Sequence, residues 1–142
     1  GWACDVRKRS PYAAYDKVQF DEVLYNEGDS YARYMVRMKE IEQSLHILEQ
    51  LVDNIPEGDY LAKTKPIIKV PEGRYFKEVE AARGAFGIYL ESRGDKFPYR
   101  LKVNSPGFNL VGAVDHMTRG SKIADLIAIG GSLDYVVPDI DR

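Results

Sequence analysis

The sequence predicts an α+β fold: a helical core with one long helix, a small antiparallel meander, and two short C-terminal helices. Three observations support this class. An apolar stripe recurs at helical spacing over residues 30–54, three strand-like runs follow between residues 76 and 103, and two short helical patterns come after them. Because 142 residues suffice for one hydrophobic core, we expect residues 1–142 to form a single domain.

The long helix is predicted over residues 30–54, with Asp29 or Ser30 as its N-cap and Pro56 and Gly58 beyond its end. Its apolar stripe consists of Tyr31, Tyr34, Met35, Met38, Ile41, Leu45, Leu48, Val52 and Ile55. The opposite face is polar and carries Arg33, Arg37, Glu40, Gln43 and Gln50. A stripe of this length predicts packing against another helix in a bundle core, rather than a free coiled coil.

The segments on either side of this helix contain many turn-forming residues. Residues 1–28 are expected to be irregular, with turns at residues 11–12 and 15–16 and a short strand over residues 18–20. Residues 56–77 contain three prolines and two glycines, which is typical of a linker. Within this linker, residues 67–70 are expected to form a brief strand.

The meander is predicted from three alternating runs over residues 76–82, 86–91 and 99–103. Gly84 separates the first pair of strands, and residues 93–96 separate the second pair. The three runs therefore indicate consecutive antiparallel strands.

Two short helices are predicted after the meander, over residues 109–118 and 122–129. Ser121 is the expected N-cap of the second helix, and the pair Gly130-Gly131 is expected to end it. Its apolar side chains should be mostly buried; they are Ile123, Leu126, Ile127 and Ile129.

The last eleven residues are unusual for a chain end, because such segments are generally small, polar and frayed. Here apolar side chains alternate with charged ones; the segment holds Leu133, Asp134, Tyr135, Val136, Val137, Asp139, Ile140, Asp141 and Arg142. This composition is typical of a tail that is packed in place with its charges at defined positions. A final edge strand that closes the sheet explains the same composition, and both interpretations stay open.

Composition excludes several classes of function. The net charge of −2 does not favour nucleic-acid binding, and no run of 18 apolar residues is present. The single cysteine, Cys4, excludes an internal disulfide and any site that needs two thiolates from this chain. The two histidines, His46 and His116, are too far apart in sequence to suggest a metal site. Because Trp2 stands near the start and no initiator Met precedes it, we expect a piece of a longer polypeptide.

No complete catalytic motif is recognisable from residue types and spacing. Arg33 and Arg37 lie one helical turn apart and could hold a carboxylate, although a solvated or ion-paired face is the favoured explanation. Ten tyrosines are consistent with an interface or with a ligand pocket. Residue chemistry alone therefore predicts an α+β domain with interaction surfaces.

Several segments together resemble one protein family over nearly the whole chain. The opening signature matches at Trp2 and at residues 5–8, 11–12 and 15–16, and a second signature matches at residues 28–37, 40, 43–44 and 49–50. A third signature matches at residues 98–100, 102–103 and 106–108. The ending matches at residues 124–125, 131–134 and 141–142. In order and spacing these motifs are similar to the C-terminal part of the D subunit of proton-pumping NADH:quinone oxidoreductase, respiratory complex I.

The resemblance implies a subunit of the peripheral arm, on the cytoplasmic face of the inner (plasma) membrane. It implies partnership with the iron–sulfur B subunit in forming the quinone-reduction pocket, and with the C subunit and membrane-arm subunits. Quinone would be the substrate, while NADH and the iron–sulfur clusters would be held by partner subunits and no cofactor by this chain. The fragment alone is expected to be inactive.

Three tail residues fall on family positions near the quinone pocket: Asp134, Val136 and Arg142. As the resemblance implies, Val136 would supply an apolar wall and Asp134 would orient a partner or affect proton supply. Arg142 would anchor the tail through its guanidinium group and terminal carboxylate. Purely structural roles for Asp134 and Arg142 remain open.

The family in turn resembles the large subunit of nickel–iron hydrogenases, which bind their metal with two pairs of cysteines. With Cys4 alone, this chain lacks the ligands for a nickel centre. Residues 80–84 resemble a Glu-Ala-Pro-Arg/Lys-Gly turn of both families, except that Ala82 replaces the proline and Ala85 replaces a following acidic residue. Two alternatives stay open: a structural module without ligand contact, and the equivalent subunit of a hydrogenase-like membrane complex with another electron donor.

Overall fold

The computed structural model describes residues 1–141, and its elements follow the predicted α+β order. In chain order they are α1 (Val6–Arg9), α2 (Ser30–Val52), β1 (Gly73–Ala81), β2 (Gly84–Ser92), β3 (Arg100–Asn104), α3 (Pro106–Thr118), α4 (Asp125–Leu133) and a 3₁₀ turn (Val137–Asp139). Within these residues, no helix combines the length and the apolar character needed to cross a bilayer.

The long helix α2 begins and ends close to the predicted residues. The Asp29 side chain caps it by accepting a hydrogen bond from the Ala32 N–H at 2.7 Å. At the other end, Asn54 donates from its backbone N–H to the Leu51 carbonyl and from its side-chain amide to the Gln50 carbonyl. These bonds satisfy carbonyl groups that the last turn would otherwise leave without partners.

The orientation of α2 differs from the prediction. Within the described chain, eight of the nine stripe residues are exposed, Leu48 for example by 61%, whereas Ile47 is only 6% exposed. The predicted polar face instead contacts the rest of the chain: Gln43 accepts from the Asp21 N–H, and Gln50 bonds both backbone groups of Gln19. The expected burial of the stripe is therefore wrong for this chain, because most of the stripe faces away from it.

The sheet is the predicted meander, with strand order β1-β2-β3 and both pairs antiparallel. Ala81 pairs with Gly84, so Ala82 and Arg83 alone form the β1–β2 turn. Gly84 has a φ of 124°, which suits a residue without a Cβ. The short strands expected over residues 18–20 and 67–70 are absent, since both segments are irregular.

The helices after the sheet are displaced from their predicted positions. α3 begins at Pro106, earlier than expected, because Ser105 caps it and a proline is favoured in the first turn. α4 covers Asp125–Leu133, so Gly130 and Gly131 lie inside it and Ser121 does not cap it. Ile129 is buried as expected, but the other predicted side chains, Ile123, Leu126 and Ile127, are exposed.

The short helix α1 was not predicted. The Asp5 side chain caps it by accepting from the Arg7 N–H at 2.8 Å, and Val6 is fully buried. The predicted turns that follow it are present, with hydrogen bonds from Tyr15 N–H to the Tyr12 carbonyl and from Lys17 N–H to the Ala14 carbonyl.

Candidate functional site

An open cleft of about 580 Å³ lies between the polar face of α2, the β1–β2 turn and the end of α4. Its charged lining consists of Arg7, Arg33, Arg37, Arg83, Glu40, Glu80 and Asp134. Tyr15, Val36, Ile41, Leu110 and Leu133 provide the larger uncharged side chains around them. The cleft thus brings together charges that lie far apart in the sequence, on four separate segments of the chain.

The β1 carboxylate Glu80 joins the N-terminal segment to the sheet. Its Oε2 accepts a hydrogen bond from the Val6 N–H at 2.8 Å, which satisfies a free donor at the start of α1. Tyr12 Oη accepts from the Glu80 N–H at 3.0 Å. Burial raises the pKa of Glu80, and the bond from Val6 opposes this shift only in part.

Arg7 is held at the cleft by a close ion pair. Its Nη2 lies 2.6 Å from Asp5 Oδ2, and both side chains are largely shielded from solvent. Burial alone would raise the pKa of Asp5, but the hydrogen bonds and charge of Arg7 outweigh it and lower this pKa. The guanidinium also stacks over Phe20, with 4.7 Å between Cζ and the ring centre.

Arg33 and Arg37, which lie one turn apart on α2, have separate hydrogen-bond partners. Arg33 Nε donates to Ser132 Oγ at 2.9 Å, and its Nη1 donates to the Gly28 carbonyl at 2.9 Å. Arg37 Nη1 donates to the Arg33 carbonyl at 3.2 Å. Arg33 therefore connects the start of α2 to the last turn of α4, a contact within the chain that the expected solvated face did not include.

Glu40 lies on the same face, one turn beyond Arg37. Its side chain keeps access to solvent, yet the surrounding protein partly desolvates the carboxyl group and raises its pKa. The positive charges of Arg7 and Arg37 oppose this shift. Glu40 and Glu80 thus form a pair of cleft carboxyl groups that retain protons more readily than ordinary glutamates.

Asp134 is the predicted site residue that the structure brings to the cleft. It ends α4 with a left-handed backbone conformation, φ 54° and ψ 37°, and its N–H contacts the carbonyls of Gly130 and Gly131. Arg83 Nε donates to its backbone oxygen at 2.6 Å and lies 3.3 Å from its Oδ2. The β1–β2 turn and the tail therefore meet at this residue.

The other two predicted site residues lie elsewhere. Val136 is half-buried in extended backbone between α4 and the 3₁₀ turn, and it is not among the residues that line the cleft. Arg142 lies outside the described residues. The tail as a whole is packed, with Leu133 buried and with Tyr135 against Gly130, and its described residues form no edge strand.

Sequence reasoning missed the cluster made by Arg7, Glu40 and Glu80. Their separation hides it, because Glu80 binds the backbone of a residue 74 positions earlier. The available signals were the matched segment around Arg7 and the turn at residues 80–84, which pointed to these residues but not to their proximity. In the part of the chain that the structure describes, no group of three or more His, Cys, Asp or Glu side chains is arranged to hold a metal ion.

Comparison with known proteins gives one consistent family. The family described as "Respiratory-chain NADH dehydrogenase, 49 Kd subunit" matches residues 1–69 and 64–142. The C/D subunit of NADH-quinone oxidoreductase from Bacteroides fragilis is 69% identical over 142 residues, which is 100% of this chain and 27% of the relative. The D subunit of the same enzyme from Desulfotalea psychrophila is 55% identical over 139 residues, 97% of this chain and 37% of the relative.

A solved structure has the same fold. It belongs to the membrane-bound sulfane sulfur reductase, an archaeal respiratory membrane complex, and matches with a TM-score of 0.92 and 42% identity. The match covers 100% of this chain and 40% of that chain, so this chain spans well under half of each of these proteins. Because the two family matches together cover all 142 residues, this chain belongs to the family of the 49 Kd subunit of the respiratory-chain NADH dehydrogenase.

Proposed function

We propose that this chain forms one wall of the quinone-reduction pocket of a proton-pumping NADH:quinone oxidoreductase, together with the iron–sulfur B subunit. The observation that carries the proposal is the meeting of Asp134 and Arg83 at a cleft that also holds Arg33 and Arg37. Relatives named as subunits of NADH-quinone oxidoreductase support the reaction. In this proposal the chain corresponds to the C-terminal part of the D subunit.

The chemistry of the cleft suits a quinone headgroup. Quinone carbonyl oxygens accept hydrogen bonds and gain negative charge on reduction, and guanidinium groups such as those of Arg33 and Arg37 stabilise such charge. Partial burial raises the pKa of Glu40 and of Glu80 above that of an ordinary glutamate, and carboxyl groups beside the headgroup suit a reaction that consumes protons. Val136 does not line this cleft in the structure of the chain. In the proposal it supplies an apolar wall two residues beyond Asp134, and Arg142 anchors the end of the tail.

The electron donors would lie on other subunits. In this proposal the B subunit carries the iron–sulfur cluster that reduces quinone, and NADH binds at a distant subunit. The C subunit and membrane-arm subunits complete the contacts, and relatives named as C/D subunits are consistent with these two subunits sharing one polypeptide. The assembly would sit peripherally on the cytoplasmic face of the inner (plasma) membrane.

The proposal is tested by Val136→Met in the assembled parent complex. The longer side chain should change the inhibition constants of quinone-site inhibitors while assembly stays intact. Val103→Met is the matched control, because Val103 is also half-buried but lies in β3. Unchanged inhibition and turnover in Val136→Met would exclude the pocket role.

A second candidate is the equivalent subunit of a membrane complex with another electron donor. The similarity to a chain of the sulfane sulfur reductase favours it, because that complex is also membrane-bound and respiratory. The purified parent complex distinguishes the two candidates. Reduction of quinone by NADH supports the first, and activity with a different donor and no NADH oxidation supports the second.

A structural role without ligand contact is the third candidate, and the exposed apolar stripe of α2 favours it. The partner that covers the stripe would be the remainder of the longer subunit, since the relatives are far longer than this chain. The isolated chain should then self-associate or bind a hydrophobic dye. A strictly monomeric chain that binds no dye would contradict this candidate.

A further inference from the structure

The C-terminal tail leaves α4 at Asp134, and Arg83 contacts both the backbone oxygen and the carboxylate of this residue. Arg83 Nε lies 2.6 Å from the backbone oxygen of Asp134 and 3.3 Å from its Oδ2. Both acceptors belong to the same residue, so this contact restrains its backbone and its side chain together. Among the described residues, Arg83 is the only one that donates a hydrogen bond to the Asp134 carbonyl.

The restrained conformation is one that residues with a Cβ seldom adopt. Asp134 has a φ of 54° and a ψ of 37°, in the left-handed region. Its carbonyl belongs to the planar peptide bond that leads to Tyr135, so the direction of this carbonyl sets the course of the following residues. A hydrogen bond that fixes the carbonyl therefore fixes the direction in which the chain continues to Val136.

Arg83 is mounted on a short turn between two strands. The β1–β2 ladder extends from the pair Gly73 and Ser92 to the pair Ala81 and Gly84, directly beside the turn. The tip also abuts α3, because a Cβ placed on Gly84 would lie 3.3 Å from Pro106 Cβ. The backbone position of Arg83 is therefore defined by the sheet and α3, and not by the tail that its side chain contacts.

The tail is anchored on both sides of Asp134. Before it, Ser132 Oγ accepts from Arg33 Nε at 2.9 Å, which ties the last turn of α4 to α2. After it, Asp139 packs against the start of α3, where a Cβ on Gly107 would lie 3.0 Å from Asp139 Cβ. Between these two anchored points, the Asp134 N–H bonds the carbonyls of Gly130 and Gly131, and the Asp134 carbonyl accepts from Arg83.

We propose that Arg83 is a positioning residue for the tail: it holds Asp134 in the left-handed conformation and thereby sets where Val136 lies. The consequence for quinone rests on the proposed function, whereas the restraint on the tail does not. Without the guanidinium, the Asp134 carbonyl loses this partner, and within the described chain only the bonds of the Asp134 N–H to the last turn of α4 restrain its conformation. The residues between Asp134 and Asp139 then shift, while the sheet and helices keep their positions.

The test compares Arg83→Met with Arg93→Met in the assembled parent complex. Arg93 is the matched control, because it lies after β2 at the other turn of the meander, with its guanidinium 3.3 Å from the centre of the Tyr99 ring. Hydrogen exchange of the amides of residues 134–141, read by mass spectrometry, should become faster in Arg83→Met and stay unchanged in Arg93→Met. Unchanged exchange in Arg83→Met overturns the proposal.

Kinetics test the effect on the pocket. The KM for quinone should rise by about three- to tenfold in Arg83→Met, as for the loss of one charged hydrogen bond, while kcat at saturating quinone changes less than about twofold. Arg83→Lys retains a hydrogen-bond donor, so its KM for quinone should stay close to the wild-type value. A fall in kcat with an unchanged KM, or no rescue by Lys, overturns the effect on Val136.

The outcome for Val136→Met separates the two proposals. If Val136→Met leaves inhibition unchanged while Arg83→Met speeds exchange in the tail, the pocket role fails and the restraint by Arg83 stands. If Val136→Met alters inhibition while Arg83→Met changes neither exchange nor KM, the pocket role stands and the positioning role fails.

Discussion

The two faces of α2 have opposite relations to the rest of the chain. The apolar stripe is exposed, although its side chains are those that usually form a core. The polar face is the one that contacts the chain, through Arg33, Gln43 and Gln50. In a domain that folds for itself alone the reverse arrangement is expected. An exposed apolar stripe therefore indicates that a partner covers it, but not which polypeptide supplies that partner.

Substitutions at two adjacent residues of α2 test whether its two faces differ in burial, and they have the largest expected effect. Ile47→Ala should lower the free energy of unfolding of the isolated chain by about 2–5 kcal/mol, because it removes a buried side chain and leaves a cavity. Leu48→Ala should change it by only about 0.5 kcal/mol, because Leu48 is already exposed. Urea denaturation measures both values. Equal losses would mean that both faces are buried in solution.

A second substitution tests whether the polar face is structural. Arg33→Met removes the hydrogen bonds to Ser132 Oγ and the Gly28 carbonyl and should cost about 1–2 kcal/mol of stability. The control is Lys39→Met, which breaks only the exposed pair with Glu42 and should cost under about 0.5 kcal/mol. If the two variants unfold at the same urea concentration, the contact between α2 and α4 contributes nothing measurable.

Much of the fold follows from local patterns. The boundaries of α2 follow from the cap at Asp29 and the helical period, and the meander follows from alternation with a two-residue turn before Gly84. These features depend on neighbours in sequence, so one chain suffices to predict them. The side on which α2 packs depends on what else is present, and periodicity carries no information about it.

The errors near the C-terminus have a different origin. Gly130-Gly131 resembles a helix end, yet α4 continues through both residues to Leu133 and is followed by Asp134 in a left-handed conformation, whose carbonyl accepts from Arg83. The local preference of glycine therefore does not determine where this helix ends. For the same reason the sequence identified Asp134 as a candidate, but not its partner, which lies 51 positions away.

Two glycines of α3 offer the same contrast between a packed position and an exposed one. Gly107→Ala should cost about 1 kcal/mol, because its Cβ would lie 3.0 Å from Asp139 Cβ and the tail would have to move. Gly112→Ala should instead stabilise the chain by about 0.5–1 kcal/mol, since its Cβ meets open space within a helix. Thermal and urea unfolding of the two variants measure the difference. A stabilising Gly107→Ala would show that the tail is not packed on α3 in solution.

The smallest expected effect concerns the carboxyl group on the polar face. Partial burial raises the pKa of Glu40 in the folded chain. For a raised pKa, the folded state binds the proton more tightly than the unfolded state, so the resulting stability is fully present at low pH. It is lost as the pH rises from the unfolded pKa through the folded pKa. Glu40→Gln should remove this part of the pH dependence, whereas the outward control Glu42→Gln should leave it unchanged.

The measurement is the free energy of unfolding from urea titrations at intervals between about pH 4 and pH 8, a range that spans the ordinary pKa of glutamate and values above it. The slope of wild type minus the slope of Glu40→Gln gives the contribution of the Glu40 carboxyl group together with its effect on Glu80. Burial raises the pKa of Glu80 and the charge of Glu40 raises it further, so both carboxyl groups contribute to this difference. Parallel curves would mean that Glu40 is fully solvated. At Glu40, the polar face of α2 would then differ from the stripe in chemistry but not in burial.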